Sequence, residues 1–279
     1  MQLLRPILLL CALACFTMAQ AQTADTTGSS VPDAGTAADT RLVTKSTMYG
    51  IGYTQLQDTY LSPEEYSGVE FRLSRESMRM TRIMHGRVSL QSYFQTNLGY
   101  TGNRADNNKT VTALANWNYA LHHHFSLSDN FRLLAGPVAD LSGGFTYNMR
   151  NGNNPASLRA SVAIGASVAA LWSPKVGKHV VDLRWQFNAP LLGVAFMPHY
   201  GQSYYEIFSL GDGSGTVRLT TPFSSPSMRH MLSADLPVGS LRLRVAYVGD
   251  AQQLHLNGIK IHVYSHVFMI GVVKQFIRL

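Results

Sequence analysis

From Leu42 onward the chain repeats one pattern: polarity that alternates every second residue, then a polar break, then the same again. Val88, Leu90, Phe94, Leu98 and Tyr100 alternate with Arg87, Ser89, Gln91, Gln95 and Asn97. Val111, Ala113, Ala115, Trp117, Tyr119 and Leu121 alternate with Thr110, Thr112, Asn116, Asn118 and His122. Leu158 to Val168 does the same against Ser157 to Ser167, and Val181, Leu183, Trp185 and Phe187 against Asp182, Arg184, Gln186 and Asn188. Successive side chains of a strand point to opposite faces, so each segment is a ribbon with one apolar face and one polar or small face. No segment shows a convincing helical period.

The breaks alternate in length. Short ones fall near Arg82–Met84, Ser128–Asn130, Pro174–Gly177 and Val238–Ser240, and longer ones near Asp58–Tyr66, Thr101–Lys109, Arg150–Pro155, Pro198–Pro226 and Asp250–Lys260. Strands that run up and down through a bilayer produce this asymmetry, with turns on one side and loops on the other. The remaining segments are Val43–Leu56, Gly68–Met80, Phe131–Tyr147, Met228–Leu236, Leu241–Val248 and Ile261–Leu279. The sum is about ten strands, an even number, with both ends on the turn side. The expected fold is all-β: an antiparallel up-and-down transmembrane β-barrel. Pro137 and Pro190 fall inside strands, where a missing N–H predicts a bulge or bend.

The first segment supports export. Arg5, the apolar run Ile7–Met18 and the small-residue site Ala19-Gln20-Ala21 read as a secretory signal peptide over 1–21. Residues 22–41 are rich in Thr, Ser, Ala, Gly and Asp and read as a periplasmic tail, and 42–279 as the barrel. Both cysteines, Cys11 and Cys15, lie in the leader, which leaves the mature chain without a disulfide framework or a thiolate site. Charged residues are only 14% of the chain, against about 25% in a soluble domain. The net charge of +7 suits an outer-membrane surface of lipid and phosphorylated glycolipid, and an exported chain meets no nucleic acid.

A soluble sandwich or periplasmic ligand carrier would show the same alternation with its apolar face inward. Three features favour the membrane: the leader, the small residues of the polar face, and aromatics near strand ends such as Tyr49, Tyr53, Tyr100, Trp117, Tyr119, Phe125, Phe131, Tyr147 and Trp172. The expected location is therefore the outer membrane.

The stretch Asp58-Thr-Tyr-Leu-Ser-Pro63, followed by Tyr66 and Gly68 and preceded by Tyr49-Gly-Ile-Gly-Tyr53, resembles an uncharacterised family of outer-membrane β-barrels from Bacteroides-type Gram-negative bacteria. The resemblance implies a fold and a location and carries no catalytic residue.

Candidate chemistry is sparse. Glu70, Arg72, Asp140, Arg159, Asp182, Arg184, Arg242 and Arg244, with Glu76 and Asp235, fall on or near polar faces. In so narrow a barrel they should pair into a lumen-filling network, with a narrow solute passage as the alternative. His122, His124 and Ser126 share a face but lie about 7 Å apart along a strand, too far for a Ser–His pair without a neighbouring strand. His199, Tyr200, Tyr204, Tyr205 and Glu206 in the longest loop form a possible platform for an extracellular sugar or small solute. The Gly211–Gly215 run reads as a hairpin tip. No cofactor and no metal is expected. The leading function is a non-enzymatic structural or interaction barrel, and the runner-up is an outer-membrane hydrolase acting on lipid or peptide.

Overall fold

The computed structural model describes residues 42–239 and 241–277. The expected leader and tail lie outside the described residues. The strands are β1 (Leu42–Asp58), β2 (Ser62–Met80), β3 (Val88–Asn103), β4 (Lys109–Ser128), β5 (Phe131–Asn148), β6 (Ala156–Trp172), the short pair β7 (Lys175–Val176) and β8 (His179–Val180), β9 (Asp182–Phe196), the four-residue β10 (Val217–Thr220), β11 (Met228–Val238), β12 (Leu241–Leu256) and β13 (Ile259–Ile277). One short helix, α1 (Tyr204–Phe208), lies between β9 and β10.

Ten long strands close one antiparallel ring in the order β1-β2-β3-β4-β5-β6-β9-β11-β12-β13. The ring shuts where β1 pairs with β13 from Leu42↔Ile277 to Asp58↔Ile261. Closure removes the two free edges of an open sheet, the condition for a sheet to stand in hydrocarbon.

The two faces are sorted opposite to a soluble core. Outward, Ile51 is 67% exposed, Val162 53% and Phe268 71%. Inward, Arg72 and Gln95 are fully buried, as are Ser89 and His122. Leu90, Phe94, Val162 and Leu183 all stand on the outward side of their strands, which rules out the soluble sandwich or carrier packing. Outward Trp117 keeps its indole N–H satisfied by donating to Ser92 Oγ (2.9 Å), as a polar handle facing lipid requires.

The connections correct one expectation. Two of the supposed long loops are tight: β1 and β2 are joined by three residues, 59–61, and β12 and β13 by Asn257-Gly258, both at positive φ. The strands continue through segments whose polar composition reads as loop, because strands longer than the roughly 9–11 residues that span a bilayer end in water and take polar residues there. The supposed tight break at Pro174–Gly177 is instead the β7–β8 hairpin, and the first short turn spans 81–87. The one long connection is 197–227. The Gly211–Gly215 run lies within it, after α1, rather than at the tip of a tight hairpin.

Both prolines sit at ladder irregularities. Leu191 is an extra, bulged residue beside Pro190, and the β4–β5 ladder breaks at Gly136-Pro137.

Candidate functional site

Inward-pointing strands bring the charged side chains together in tiers. In the tier toward the turn end, Glu76 on β2 accepts from Arg184 on β9 (2.6 Å) and Gln91 on β3 (2.6 Å), and pairs with Arg244 on β12. Arg244 also grips Asp235 on β11 through two nitrogens (2.6 and 2.7 Å). β2 and β9 stand five steps apart round the ring in either direction. The Glu76–Arg184 contact therefore spans the full width of the lumen. Gln186 continues the tier by donating to Gln91 (2.9 Å).

In the next tier Arg72 pairs with Glu70 (2.6 Å) and Asp250 (3.3 Å), and Arg229 joins Asp250 (3.1 Å). Arg229 also donates to Asn116 and Asn118 (2.7 Å each), and Asn116 donates to Asp140 (3.0 Å). Nearest the turns, Arg242 pairs with Asp182 (2.6 Å). Arg159 stands apart from both tiers, donating to Thr146 (2.6 Å). A third layer is apolar: Met48, Tyr93, Met231, Ala246, Val248, Val267 and Met269 form one buried cluster inside the ring. Charges removed from water are tolerated only when paired and hydrogen-bonded, and these pairs use most of their donors.

All eight sequence-selected charges thus line the interior; seven are tied to other charged or amide side chains, and Arg159 donates to Thr146. Sequence reading missed Asp250 and Arg229, the hub of the second tier. Gly249-Asp250 reads as the start of a loop, yet β12 runs through it. A Cβ at Gly249 would lie 2.1 Å from His230 Nε2, so a larger residue there would displace that imidazole. Of the histidine group, His122 bonds Ser167 Oγ on β6 (2.7 Å), and His124 bonds Ser89 Oγ (2.8 Å). Ser126 joins neither. Ser167 donates to Asn188 Oδ1 (2.7 Å), and both His122 and Ser167 are fully buried, which makes the pair part of the packing. Among the described residues no group of three or more His, Cys, Asp or Glu is placed to hold a metal ion.

At the loop end the mouth is roofed. Met197, Ile259 and Ile261 are buried together, with Tyr60, Leu254 and Leu256 packed against them. The Asp58–Pro63 stretch explains itself here. Asp58 Oδ1 accepts from the Tyr60 N–H (3.1 Å), which turns the chain, and Tyr60 donates to the Gln202 carbonyl in the long connection (2.8 Å). Burial, with the nearby Tyr204 phenol, pushes the Tyr60 phenol up to about 12, so it remains a donor at every ordinary pH.

The five loop residues are spread around this roof. Tyr204 meets Tyr60 edge-on (5.5 Å), packs in a triangle of near-parallel rings with Phe196 and Phe208, and accepts from the Leu158 N–H (2.6 Å). Glu206 closes a capping box with Ser203 at the start of α1. His199 contacts the Ser214 carbonyl (3.3 Å), while Tyr200 and Tyr205 are exposed.

The Ser203 backbone N–H and hydroxyl, both donating to Glu206, hold its carboxyl below the usual range. A folded-state value below the unfolded one adds stability above the unfolded pKa and loses it as pH falls through the folded one. Hydrogen-exchange protection of α1 should therefore drop below about pH 4, and Glu206→Gln should remove that dependence.

A closed ten-strand barrel with an apolar outer wall, a paired-charge interior and a roofed mouth belongs to the class of outer-membrane-type β-barrels. Within that class the chain belongs to the family described as Protein of unknown function (DUF3316), whose model matches residues 7–279. The fold is similar to the outer membrane protease OmpT from Escherichia coli, at 9% identity and a TM-score of 0.55, covering 87% of this chain and 99% of that one. More distant is the transport unit of the autotransporter AIDA-I from Escherichia coli, at 7% identity and a TM-score of 0.46, covering 88% and 92%. An outer membrane channel from Pseudomonas putida F1 gives 10% identity and a TM-score of 0.36, covering 88% and 97%. No curated protein matches the chain significantly.

Proposed function

We propose that this protein is a non-enzymatic barrel of the bacterial outer membrane, exported by its leader, whose interior is a sealed polar core and whose interactions are made by its outer surface. The observation that carries this reading is the Glu76–Arg184 contact between opposite walls, reinforced by Arg244 and Asp235. A side-chain bridge across the full lumen, with an apolar layer and a roof above it, supports a scaffold over a passage. The protease likeness shows the fold alone, and the buried His122–Ser167 pair offers no approach to a lipid or peptide.

The partners that fit are outer-membrane lipid and glycolipid around the wall. An extracellular sugar or small solute would meet the roof at Tyr200 and Tyr205. The Asp58–Pro63 stretch supports an origin in Bacteroides-type Gram-negative bacteria.

Planar-bilayer recording tests the sealed core. The purified protein should show no steady conductance under conditions where a general porin conducts. A stable open level in the unmodified protein would overturn the scaffold reading in favour of a passage.

A further inference from the structure

Between β9 and β11 the barrel wall has an unladdered stretch. β11 pairs with β9 only as far as Arg229↔Asn188, and β10 takes up pairing at Thr220↔Gly193. Residues 189–192 of β9 thus have no ladder partner on that side. The facing segment 221–227 turns away and bonds to β12 instead: the Ser225 and Ser227 hydroxyls donate to the Gln253 carbonyl (2.8 and 3.1 Å), and the Ser224 carbonyl accepts from the His255 N–H (2.8 Å). Pro190 supplies no N–H, and bulged Leu191 displaces the strand, so local sequence maintains the gap.

Behind the gap lies a cavity of about 110 Å³. Its rim is apolar: Leu191, Leu192 and Met228, each about half exposed. Its inner end is polar and contains two buried atoms without partners, one an acceptor and one a donor. Asn97 is 96% buried by its 4% exposure, and its Oδ1 has no hydrogen bond. Arg159 donates to Thr146 (2.6 Å), but its buried Nε has no partner, and among the described residues no carboxylate forms an ion pair with it. The charge of Asp58 reaches it without contact. Of the other ions lining the cavity, Arg229 and Asp250 are committed to each other, and Asp140 accepts from Asn116, Asn118 and Ser142.

A guanidinium with a free buried donor and no paired carboxylate favours an anionic acceptor. An apolar rim in a wall facing lipid favours a hydrocarbon chain. We propose that this gap is a lateral binding site for a single-chain amphiphile with a carboxylate-sized anionic head, the head meeting the Arg159 guanidinium and the chain leaving between Leu191 and Met228 into the membrane. The proposal goes beyond the sealed-core reading and does not depend on it, because the site opens sideways and not along the axis.

The test is equilibrium binding of radiolabelled decanoate to the protein in phosphatidylcholine nanodiscs, with empty nanodiscs subtracted. Saturable binding of one decanoate per barrel is expected, at least tenfold weaker in Arg159→Met and absent in Leu191→Trp, which fills the rim. Decyltrimethylammonium should give no saturable binding. If Arg159→Met fails to fold, as judged by heat-dependent gel mobility, the exposed-rim variant Leu191→Trp decides. Non-saturable uptake, wild-type affinity in the folded variants, or equal binding of the cationic analogue would each overturn the proposal.

Discussion

Glu76→Leu should destabilise the barrel by about 3–5 kcal/mol, because it strands two buried guanidinium groups at once. Arg184 and Arg244 both converge on this carboxylate, and Gln91 and Ser46 donate to it as well. Arg244 retains Asp235, but Arg184 has no second carboxylate among the described ion pairs. Its remaining acceptor is the side-chain oxygen of Gln186. Glu76→Gln keeps an acceptor in place and should cost less than Glu76→Leu. Combining Glu76→Leu with Arg184→Leu should recover part of the loss, since an apolar pair replaces a broken ionic one. Urea unfolding in lipid vesicles, followed by tryptophan fluorescence, reads the difference. Equal stability of the wild type and Glu76→Leu would show that water reaches this tier and that the lumen is not sealed there.

Much of the fold was legible because alternation survives any choice of partner strand. A residue such as Gln95 or Val162 declares its face through its neighbours, and only the sense of inside and outside had to be argued separately. Strand ends were less legible. Residues 62–66 and 250–256 are polar because they lie beyond the apolar band, and polarity is also what marks a loop. That ambiguity hid Asp250. Its partner Arg229 faces it across the β11–β12 hairpin, but Arg72 lies 178 residues away in sequence, and only ring closure brings it there. The interior charges could be named from their faces, but their pairing could not. Glu76–Arg184 depends on the strand count, which places β2 opposite β9. The long connection was legible as a loop, while its role as a roof depends on the Tyr60 hydroxyl reaching Gln202 across the barrel mouth.

Two glycines at similar inward-turned positions should respond oppositely to the same substitution. At Gly52 an added Cβ would lie 2.0 Å from the His266 carbonyl oxygen and 2.6 Å from the Val267 Cα. Both obstacles are backbone, and both belong to β13, the strand that closes the ring on β1. Relief requires moving the closing seam, so Gly52→Ala should cost about 3 kcal/mol or more, at the upper end of overpacking penalties. At Gly99 the nearest atoms to an added Cβ are Thr112 Cβ and Thr54 Cγ2, both at 3.6 Å, which is ordinary contact. Gly99→Ala should therefore be neutral or stabilising by up to about 1 kcal/mol, since alanine loses less backbone entropy on folding. The two variants change composition identically and differ only in what the methyl group meets. Heat-dependent gel mobility gives the ranking, and vesicle unfolding gives the size. If Gly52→Ala folds with wild-type stability, the close approach of β1 to β13 is wrong, and the register that closes the barrel would have to be redrawn.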